Sequence, residues 1–206
     1  MISQPSRQSR RDLVVVVSPF EEPRPRMIAA AERAGALGLL DLGRDHDRAR
    51  TAMAALRGHY GVRVPAGCPL TPGELPAAVD TVLLTEAWWR TGTADWAAGG
   101  RRVWAEVVSP AEATAAVAAG ATGIVAKGHE AGGRVGDLTT FVLLQRLLAD
   151  PGLTVPFFAA GGIGPHTAAA AVAGGAAGVV LDTQLALTAE GEDGLPRAVA
   201  AAVRAL

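Results

Sequence analysis

Short apolar runs alternate with longer alanine-rich segments along almost the whole chain. The apolar runs are rich in valine, leucine and isoleucine and lack a polar-apolar alternation, which is typical of strands buried on both faces of a parallel sheet. Successive runs start 19 to 32 residues apart, about the length of one strand, one loop and one helix. The predicted strands begin near Leu13, Leu37, Val62, Thr81, Arg102, Gly123, Val155 and Gly178.

The alanine-rich segments predict helices, and glycine follows several of them, as at Gly35, Gly120 and Gly174. Glycine is the residue that a left-handed helix C-cap favours. The predicted helices are Arg26–Ala34, Asp47–His59, Pro76–Val79, Thr93–Ala98, Ala111–Ala119, Thr139–Ala149, Thr167–Ala173 and Leu195–Leu206. The third and fourth are short.

Eight strands that alternate with eight helices predict an α/β fold, a compact (β/α)8 TIM barrel with parallel strands. A doubly wound open sheet is the alternative. The chain of 206 residues is shorter than the ~250 residues of a typical barrel, so its loops must be short. We expect residues 1–12 to form a disordered N-terminal tail and residues 13–206 to form a single barrel domain.

Composition narrows the possible partners. The formal net charge is -1 and aromatic residues make up 4% of the chain, so neither a basic patch nor a stacking platform for nucleic acid is expected. Cys68 is the single cysteine, which rules out an intrachain disulfide and a cysteine-cluster metal site. The sequence has no run of roughly 20 apolar residues, so we expect a cytoplasmic protein that binds no membrane. It also has no histidine and carboxylate pairs at metal-ligand spacing, so we expect no bound metal.

A glycine-rich turn follows the predicted seventh strand. It reads Ala-Ala-Gly-Gly-Ile-Gly from Ala159 to Gly164, and Pro165 then opens a helix. Backbone N–H groups in such a turn can approach an anion closely, and the helix N-terminus adds partial positive charge. In TIM barrels, phosphate groups bind at the loops after strands seven and eight. The turn predicts a phosphate site; a purely structural strand-to-helix turn is the alternative.

The loop after the predicted sixth strand is the most polar and glycine-dense segment. It runs from Lys127 to Asp137 on the face where barrels carry out chemistry. Lys127 can meet an anion, and His129 can act as an acid or base near neutral pH. In the alternative interpretation the loop is solvated and Glu130 pairs with Arg134. Glu106 on the preceding strand is costly to bury unpaired, and Lys127 is its expected partner.

These two glycine segments carry a family resemblance. Glu-Ala-Gly-Gly at 130–133 and Ala-Ala-Gly-Gly-Ile at 159–163 resemble segments of nitronate monooxygenases (2-nitropropane dioxygenases) and of flavin-dependent enoyl reductases. Val-Leu-Asp-Thr-Gln-Leu at 180–185 stands where that family has its second phosphate turn. The amino-acid sequence of residues 128–136 is similar to that of domains embedded in type I polyketide and polyunsaturated-fatty-acid synthase-like multienzymes.

The resemblance implies an FMN-dependent oxidoreductase that acts on an acyl thioester or another small activated substrate, with NAD(P)H as electron donor and other synthase domains as partners. It implies a catalytic site and a cofactor site. The implied catalytic residues are Lys127, His129 and Arg134. The implied cofactor residues are Arg63, Gly132, Gly133, Gly161, Gly162, Gly164, Asp182 and Thr183.

The chain departs from the family pattern at the positions that matter for this chemistry. Arg134 replaces the histidine after the glycine pair, and arginine cannot accept a proton. Asp182 replaces a glycine and Gln184 an arginine in the second phosphate turn, and Arg63 replaces an asparagine. A degenerate, non-catalytic barrel that serves as a structural or docking domain of a synthase is therefore the alternative function. An aldolase- or isomerase-type barrel that uses Lys127 is a third possibility.

Overall fold

The structure, a computed structural model, describes residues 10–191 and 196–205. Its eight strands begin within two residues of the predicted positions. They are β1 (Val14–Val17), β2 (Leu37–Asp41), β3 (Tyr60–Val64), β4 (Val79–Leu84), β5 (Arg102–Val107), β6 (Gly123–Lys127), β7 (Phe157–Ala160) and β8 (Gly178–Leu181).

Seven α-helices lie within the described residues. They are α1 (Pro25–Arg33), α2 (His46–Ala55), α3 (Glu86–Trp89), α4 (Pro110–Ala118), α5 (Thr140–Leu148), α6 (Pro165–Ala173) and α7 (Arg197–Arg204). Proline opens α1, α4 and α6 at the first turn, where its missing N–H costs no helical hydrogen bond. The ends of the last predicted helix, Leu195 and Leu206, lie outside the described residues.

The predictions of the two short helices were wrong. Residues 76–78 are not helical, and a 3₁₀ turn at Pro72–Glu74 precedes them. Its helical geometry is supported by Glu74, whose carboxylate accepts hydrogen bonds from the N–H and hydroxyl of Thr71. Residues 93–97 form turns, and α3 lies earlier instead, directly after β4.

The strands form a closed parallel barrel in sequence order, with β8 paired to β1. This confirms the predicted TIM barrel and excludes the open sheet. Because successive side chains of a strand point to opposite faces, alternate residues line the barrel interior. An inner cluster results, and it comprises Val15, Val17, Leu37, Leu39, Leu83, Trp104, Val125, Phe158, Ala160 and Val180.

The inner cluster contains a pair of large aromatic side chains. Trp104 and Phe158 stack with centroids 4.1 Å apart, and both side chains are almost fully buried. Gly123 makes room for the indole, because a Cβ at that position would lie 2.6 Å from Trp104 Cδ1. The second, larger hydrophobic cluster packs the outer faces of the strands against the helices.

The N-terminal end of the barrel is closed by a network of hydrogen-bonded charges, here called the base network (Arg11, Asp12, Asp80, Thr81 and Arg102). The Arg102 guanidinium contacts the Asp12 carboxylate and the Thr81 hydroxyl, and Arg11 bonds Asp80 at 3.0 Å. Asp12 is buried, so it is part of the packed barrel. Of the predicted disordered tail, residues 1–9 lie outside the described residues. No helix in the described ranges is long and apolar enough to cross a membrane.

Candidate functional site

The inward-facing residues become charged where the strands reach the C-terminal mouth of the barrel. Asp41 on β2, Arg63 on β3, Glu106 on β5 and Lys127 on β6 form what we call the mouth network. Arg63 Nη1 lies 2.6 Å from Asp41 Oδ2, and its Nε lies 3.1 Å from Glu106 Oε2. Lys127 Nζ bonds the other oxygen, Glu106 Oε1, at 3.2 Å. The predicted pairing of Glu106 with Lys127 is therefore present.

Burial and neighbouring charge set the protonation of this network. Burial alone would raise the pKa of Glu106, but Arg63 and Lys127 together lower it below its usual value. Burial raises the pKa of Asp41 in spite of its contact with Arg63. Burial would lower the pKa of Arg63, and the two carboxylates raise it instead. Glu106 is thus held as a carboxylate and is a poor proton donor at neutral pH.

A cavity of about 560 Å³ lies above the mouth network. The residues that line it come from the loops after several strands and from the tops of the strands themselves. Among them are seven of the predicted site residues: Arg63, Lys127, Gly132, Gly133, Arg134, Asp182 and Thr183. We call this space the mouth cavity.

Lys127 is the buried cation at the bottom of the mouth cavity, 7% exposed. Its ammonium makes one hydrogen bond, to Glu106, within the described residues. A lysine ammonium has three N–H donors, so two remain available. A Cβ placed on Gly133 would lie 3.6 Å from Lys127 Nζ. The loop therefore passes within van der Waals distance of the ammonium, and glycine suits this position because its φ is +75°.

Arg134 lies at the rim of the mouth cavity, where its guanidinium forms ion pairs with two carboxylates. It contacts Glu112 of α4, and its Nε lies 2.9 Å from Glu86 Oε2 of α3. The hydrogen bonds to Glu112 raise the pKa of Arg134. The pairing of Arg134 with Glu130 that the alternative interpretation of this loop offered is not formed, because Glu130 bonds Thr140 instead. Arg134 ties the β6 loop to the two neighbouring helices.

His129 is placed outside the cavity. Its side chain is exposed, its backbone N–H donates to the Leu138 carbonyl, and it is absent from the cavity lining. The side chain of the next residue, Glu130, accepts hydrogen bonds from the N–H and hydroxyl of Thr140 at the start of α5. These bonds lower the pKa of Glu130 although partial burial opposes them. The β6 loop is thus anchored on α5 by Glu130, while His129 faces solvent.

The turn after β7 keeps the geometry of an anion site. Gly161 and Gly162 have φ of +106° and +63°, in the left-handed region that favours glycine. The N–H groups of Gly162 and Ile163 have no partner among the described residues. The hydroxyl of Thr167 accepts from the Gly164 N–H and donates to the Gly162 carbonyl. This turn leaves two N–H groups free beside the N-terminus of α6.

The turn after β8 uses its N–H groups internally. The Asp182 carboxylate accepts from the N–H of Thr183 at 2.6 Å and from its hydroxyl at 3.2 Å. The amide oxygen of Gln184 accepts from the Asp182 N–H at 3.0 Å. Gln184 then donates to the Ile163 carbonyl at 3.2 Å. The two turns are therefore joined by a side chain.

These two turns differ in how well they could bind the phosphate of FMN. The β7 turn fits, since it offers N–H donors and a helix N-terminus. The β8 turn does not fit, since the N–H groups of Asp182 and Thr183 are taken and Asp182 adds a negative charge that repels a phosphate. Gly161, Gly162 and Gly164 do not line the mouth cavity, whereas Asp182 and Thr183 do.

The site also contains residues that the sequence interpretation missed. Asp41 ends β2 and bonds Arg63, and Glu86 and Glu112 hold Arg134. Asp41 could have been found by the rule that polar residues at the C-terminal ends of barrel strands face the site. Glu86 and Glu112 depend on the path of the β6 loop, which no motif predicts. Within residues 10–191 and 196–205, no three histidine, cysteine or carboxylate side chains could share a metal ion.

Comparison with solved structures places this geometry among known barrels. FabK from Thermotoga maritima is 26% identical, with a TM-score of 0.77 over 89% of this chain and 62% of its own. Nitroalkane oxidase from Streptomyces ansochromogenes is 22% identical, with a TM-score of 0.68 over 86% and 67%. The enoyl reductase domain of MlnA, from the macrolactin biosynthesis cluster of Bacillus amyloliquefaciens, is 16% identical, with a TM-score of 0.64 over 86% and 55%.

These neighbours confirm the resemblance that the glycine motifs predict, and the chain has a flavin oxidoreductase-like barrel fold. The chain spans 62% of FabK, so it corresponds to a part of that protein. No protein-family model matches the chain, and no curated protein matches it.

Proposed function

We propose that the chain is a flavin oxidoreductase-like domain that binds a flavin in the mouth cavity and serves a synthase-type multienzyme. The observation that carries the proposal is the mouth cavity itself. It lies at the C-terminal end of the barrel, where such folds bind ligands, and Lys127, Gly132 and Gly133 line it. The same barrel matches FabK at 26% identity.

Lys127 is the residue we assign to the ligand's electron-rich atoms. Its ammonium is buried and fixed on one side by Glu106, and two of its N–H donors have no partner among the described residues. A cation held in a low-dielectric site stabilises negative charge on a ligand more strongly than it would in water. A bound flavin would supply the redox chemistry, and Lys127 would donate hydrogen bonds to it from beneath.

An acyl thioester with a conjugated double bond suits this site better than a neutral nitroalkane. Oxidation of a neutral nitroalkane would need a base in the site to remove its α-proton, and Arg134 cannot accept a proton. His129 lies outside the mouth cavity, so it cannot take over that role. The neighbour from the macrolactin cluster is an enoyl reductase domain, which favours reduction of an enoyl thioester, with NAD(P)H as the electron donor.

The second candidate function is a non-catalytic structural or docking domain of a synthase. The observation that favours it is the neutralisation of the site's cations. Arg63 and Lys127 are paired with carboxylates in the mouth network, and Arg134 is held by two carboxylates. A barrel that keeps its ion pairs but has lost its ligand would show the same contacts.

Flavin titration of the purified chain separates the two functions. We expect the chain to quench flavin fluorescence on binding and Lys127→Met to weaken binding about tenfold or more, the cost of one hydrogen bond to a charged group. The control is Arg146→Gln, an exposed arginine on α5, which should leave binding unchanged. Binding of neither riboflavin nor FMN would overturn the proposal and favour the non-catalytic domain.

A further inference from the structure

We infer that Asp182 makes the mouth cavity select a ligand that ends in hydroxyl groups over one that ends in phosphate. For a flavin, this means riboflavin over FMN. The inference deepens the proposed function and rests on it for the identity of the ligand. Its physical basis is that the carboxylate of Asp182 stands where a barrel of this kind binds a phosphate, after strand eight.

The first observation is the use of the N–H groups of the β8 turn. A phosphate binds at such a turn by accepting hydrogen bonds from backbone N–H groups. Here the Asp182 carboxylate takes the N–H of Thr183, and the Gln184 side chain takes the N–H of Asp182. A phosphate would have to displace both acceptors before it could bind.

The second observation is the bridge between the two turns. Gln184 donates from Nε2 to the Ile163 carbonyl while its oxygen accepts from the Asp182 N–H. The amide therefore connects the β7 turn to the β8 turn. A phosphate held by both turns would have to break this connection.

The third observation is the charge of Asp182. Five carboxylates line the mouth cavity, and four of them pair with a cation. Asp182 is the fifth; its Oδ1 accepts hydrogen bonds from Thr183, and no cation pairs with it among the described residues. Its Oδ2 is left as an acceptor. The negative charge at this end of the cavity is therefore uncompensated.

A carboxylate with a free oxygen recognises hydroxyl groups and repels phosphate. It accepts charge-assisted hydrogen bonds from O–H donors, whereas two negative charges a few ångströms apart repel each other. Acidic residues discriminate in the same way between a ribose hydroxyl and a ribose phosphate in dinucleotide sites. The polyol chain of riboflavin ends in a hydroxyl group, and that of FMN ends in a phosphate.

The experiment measures dissociation constants for riboflavin and FMN with the whole chain and two variants at position 182. We expect the unaltered chain to bind riboflavin at least tenfold more tightly than FMN. Asp182→Asn keeps the shape and removes the charge, so the preference should largely disappear. Asp182→Gly also frees the Thr183 N–H, so FMN should become the tighter ligand. Asp47→Asn removes the same charge from a side chain 98% exposed and should change nothing.

A second measurement uses inorganic phosphate alone, followed by phosphorus NMR line broadening. We expect the unaltered chain to bind phosphate at most weakly, through the β7 turn, and Asp182→Gly to bind it more tightly because the β8 turn can then contribute. If no flavin binds but Asp182→Gly gains phosphate binding, the inference stands and the proposed function fails. If FMN binds as tightly as riboflavin and Asp182→Asn leaves the ratio unchanged, the inference is overturned while the proposed function stands. Failure of Asp182→Gly to gain phosphate binding also contradicts the inference.

Discussion

The two ends of the barrel both carry buried charges, but they use them differently. At the N-terminal end, Arg102 bonds Asp12 and Thr81 and lies 5.0 Å from the centroid of the Trp104 ring. The guanidinium thus packs directly against the aromatic layer. At the C-terminal end, Lys127 has N–H donors without a partner in the described part of the chain, and the mouth network faces a cavity of about 560 Å³. The base network is packed against the interior, whereas the mouth network lies beside open space.

This difference shows that ion pairing alone does not mark a functional site. The mouth network and the base network contain the same types of side chain, and both join distant parts of the chain. What separates them is the space beside the charges and the hydrogen-bonding capacity left over. TIM barrels follow this division generally, with ligands at the C-terminal face and stabilising contacts at the other.

Loss of Glu106 should have the largest effect on stability. Glu106 is the carboxylate shared by Arg63 and Lys127. Replacing it in Glu106→Leu leaves Lys127 without its charged partner and Arg63 with Asp41 alone. We expect a loss of about 3–5 kcal/mol in the free energy of unfolding, the usual cost of breaking a buried ion pair from one side, measured by urea denaturation.

The matched control for this variant is Glu21→Gln. Glu21 pairs with Arg44, and their side chains are 38% and 66% exposed, so its loss should cost less than about 1 kcal/mol. Equal losses for the two variants would show that the mouth network contributes no more than a surface pair.

Loss of Arg102 should have an intermediate effect on stability. It tests whether the N-terminal end of the barrel contributes to stability without contributing to ligand binding. Arg102→Met leaves the buried carboxylate of Asp12 without its main donor. Because the Arg102 side chain is 25% exposed, water can reach the vacated site, and we expect a loss of about 1–3 kcal/mol. Flavin affinity should not change, since Arg102 lies at the other end of the barrel. Weakening of flavin binding as large as that in Lys127→Met would remove the distinction between the ends.

The smallest effect on stability should come from an exposed ion pair near the mouth, His46 and Glu74. The hydrogen bond between them, 2.8 Å long, raises the pKa of His46 above 6.5. The pKa of Glu74 is lowered to about 2, mainly by its hydrogen bonds from Thr71 and further by this bond to His46. The raised pKa of His46 gives stability that is complete below 6.5 and is lost as the pH rises through the folded-state value. The lowered pKa of Glu74 gives stability that is complete above 4.5 and is lost as the pH falls toward about 2.

The pair therefore contributes most between about pH 4.5 and 6.5, the ordinary values of its two groups. An NMR titration of the His46 ring protons should give a pKa above 6.5, and Glu74→Gln should lower it. A His46 pKa that does not respond to Glu74→Gln would contradict the assignment.

The fold could be predicted from the sequence because parallel barrel strands are apolar on both faces. Each such strand is a continuous apolar run, and the runs at Leu37, Arg102, Gly123 and Gly178 start where the structure begins the strands. The short helices after β3 and β4 could not be predicted. Their positions depend on side-chain contacts such as the Glu74–Thr71 hydrogen bonds, which have no periodic signal.

The candidate site was predictable only in part. Lys127 and Glu106 were paired correctly because neighbouring parallel strands bring their C-terminal ends together. The partner of Arg134 could not be predicted: the alternative interpretation of the loop named Glu130, which is close in sequence, whereas Glu112 is close in space. Asp182 was recognised as a departure from the family pattern. That its carboxylate bonds the following N–H became evident only with the side chains in place.

The stacked Trp104 and Phe158 rings have a consequence for ligand exchange. They stack inside the barrel at a centroid separation of 4.1 Å and are almost fully buried, so among the described residues they separate the mouth cavity from the base network. We expect a ligand to enter and leave the mouth cavity at the C-terminal end of the barrel, and two reactants that use the cavity in turn to compete for that entrance.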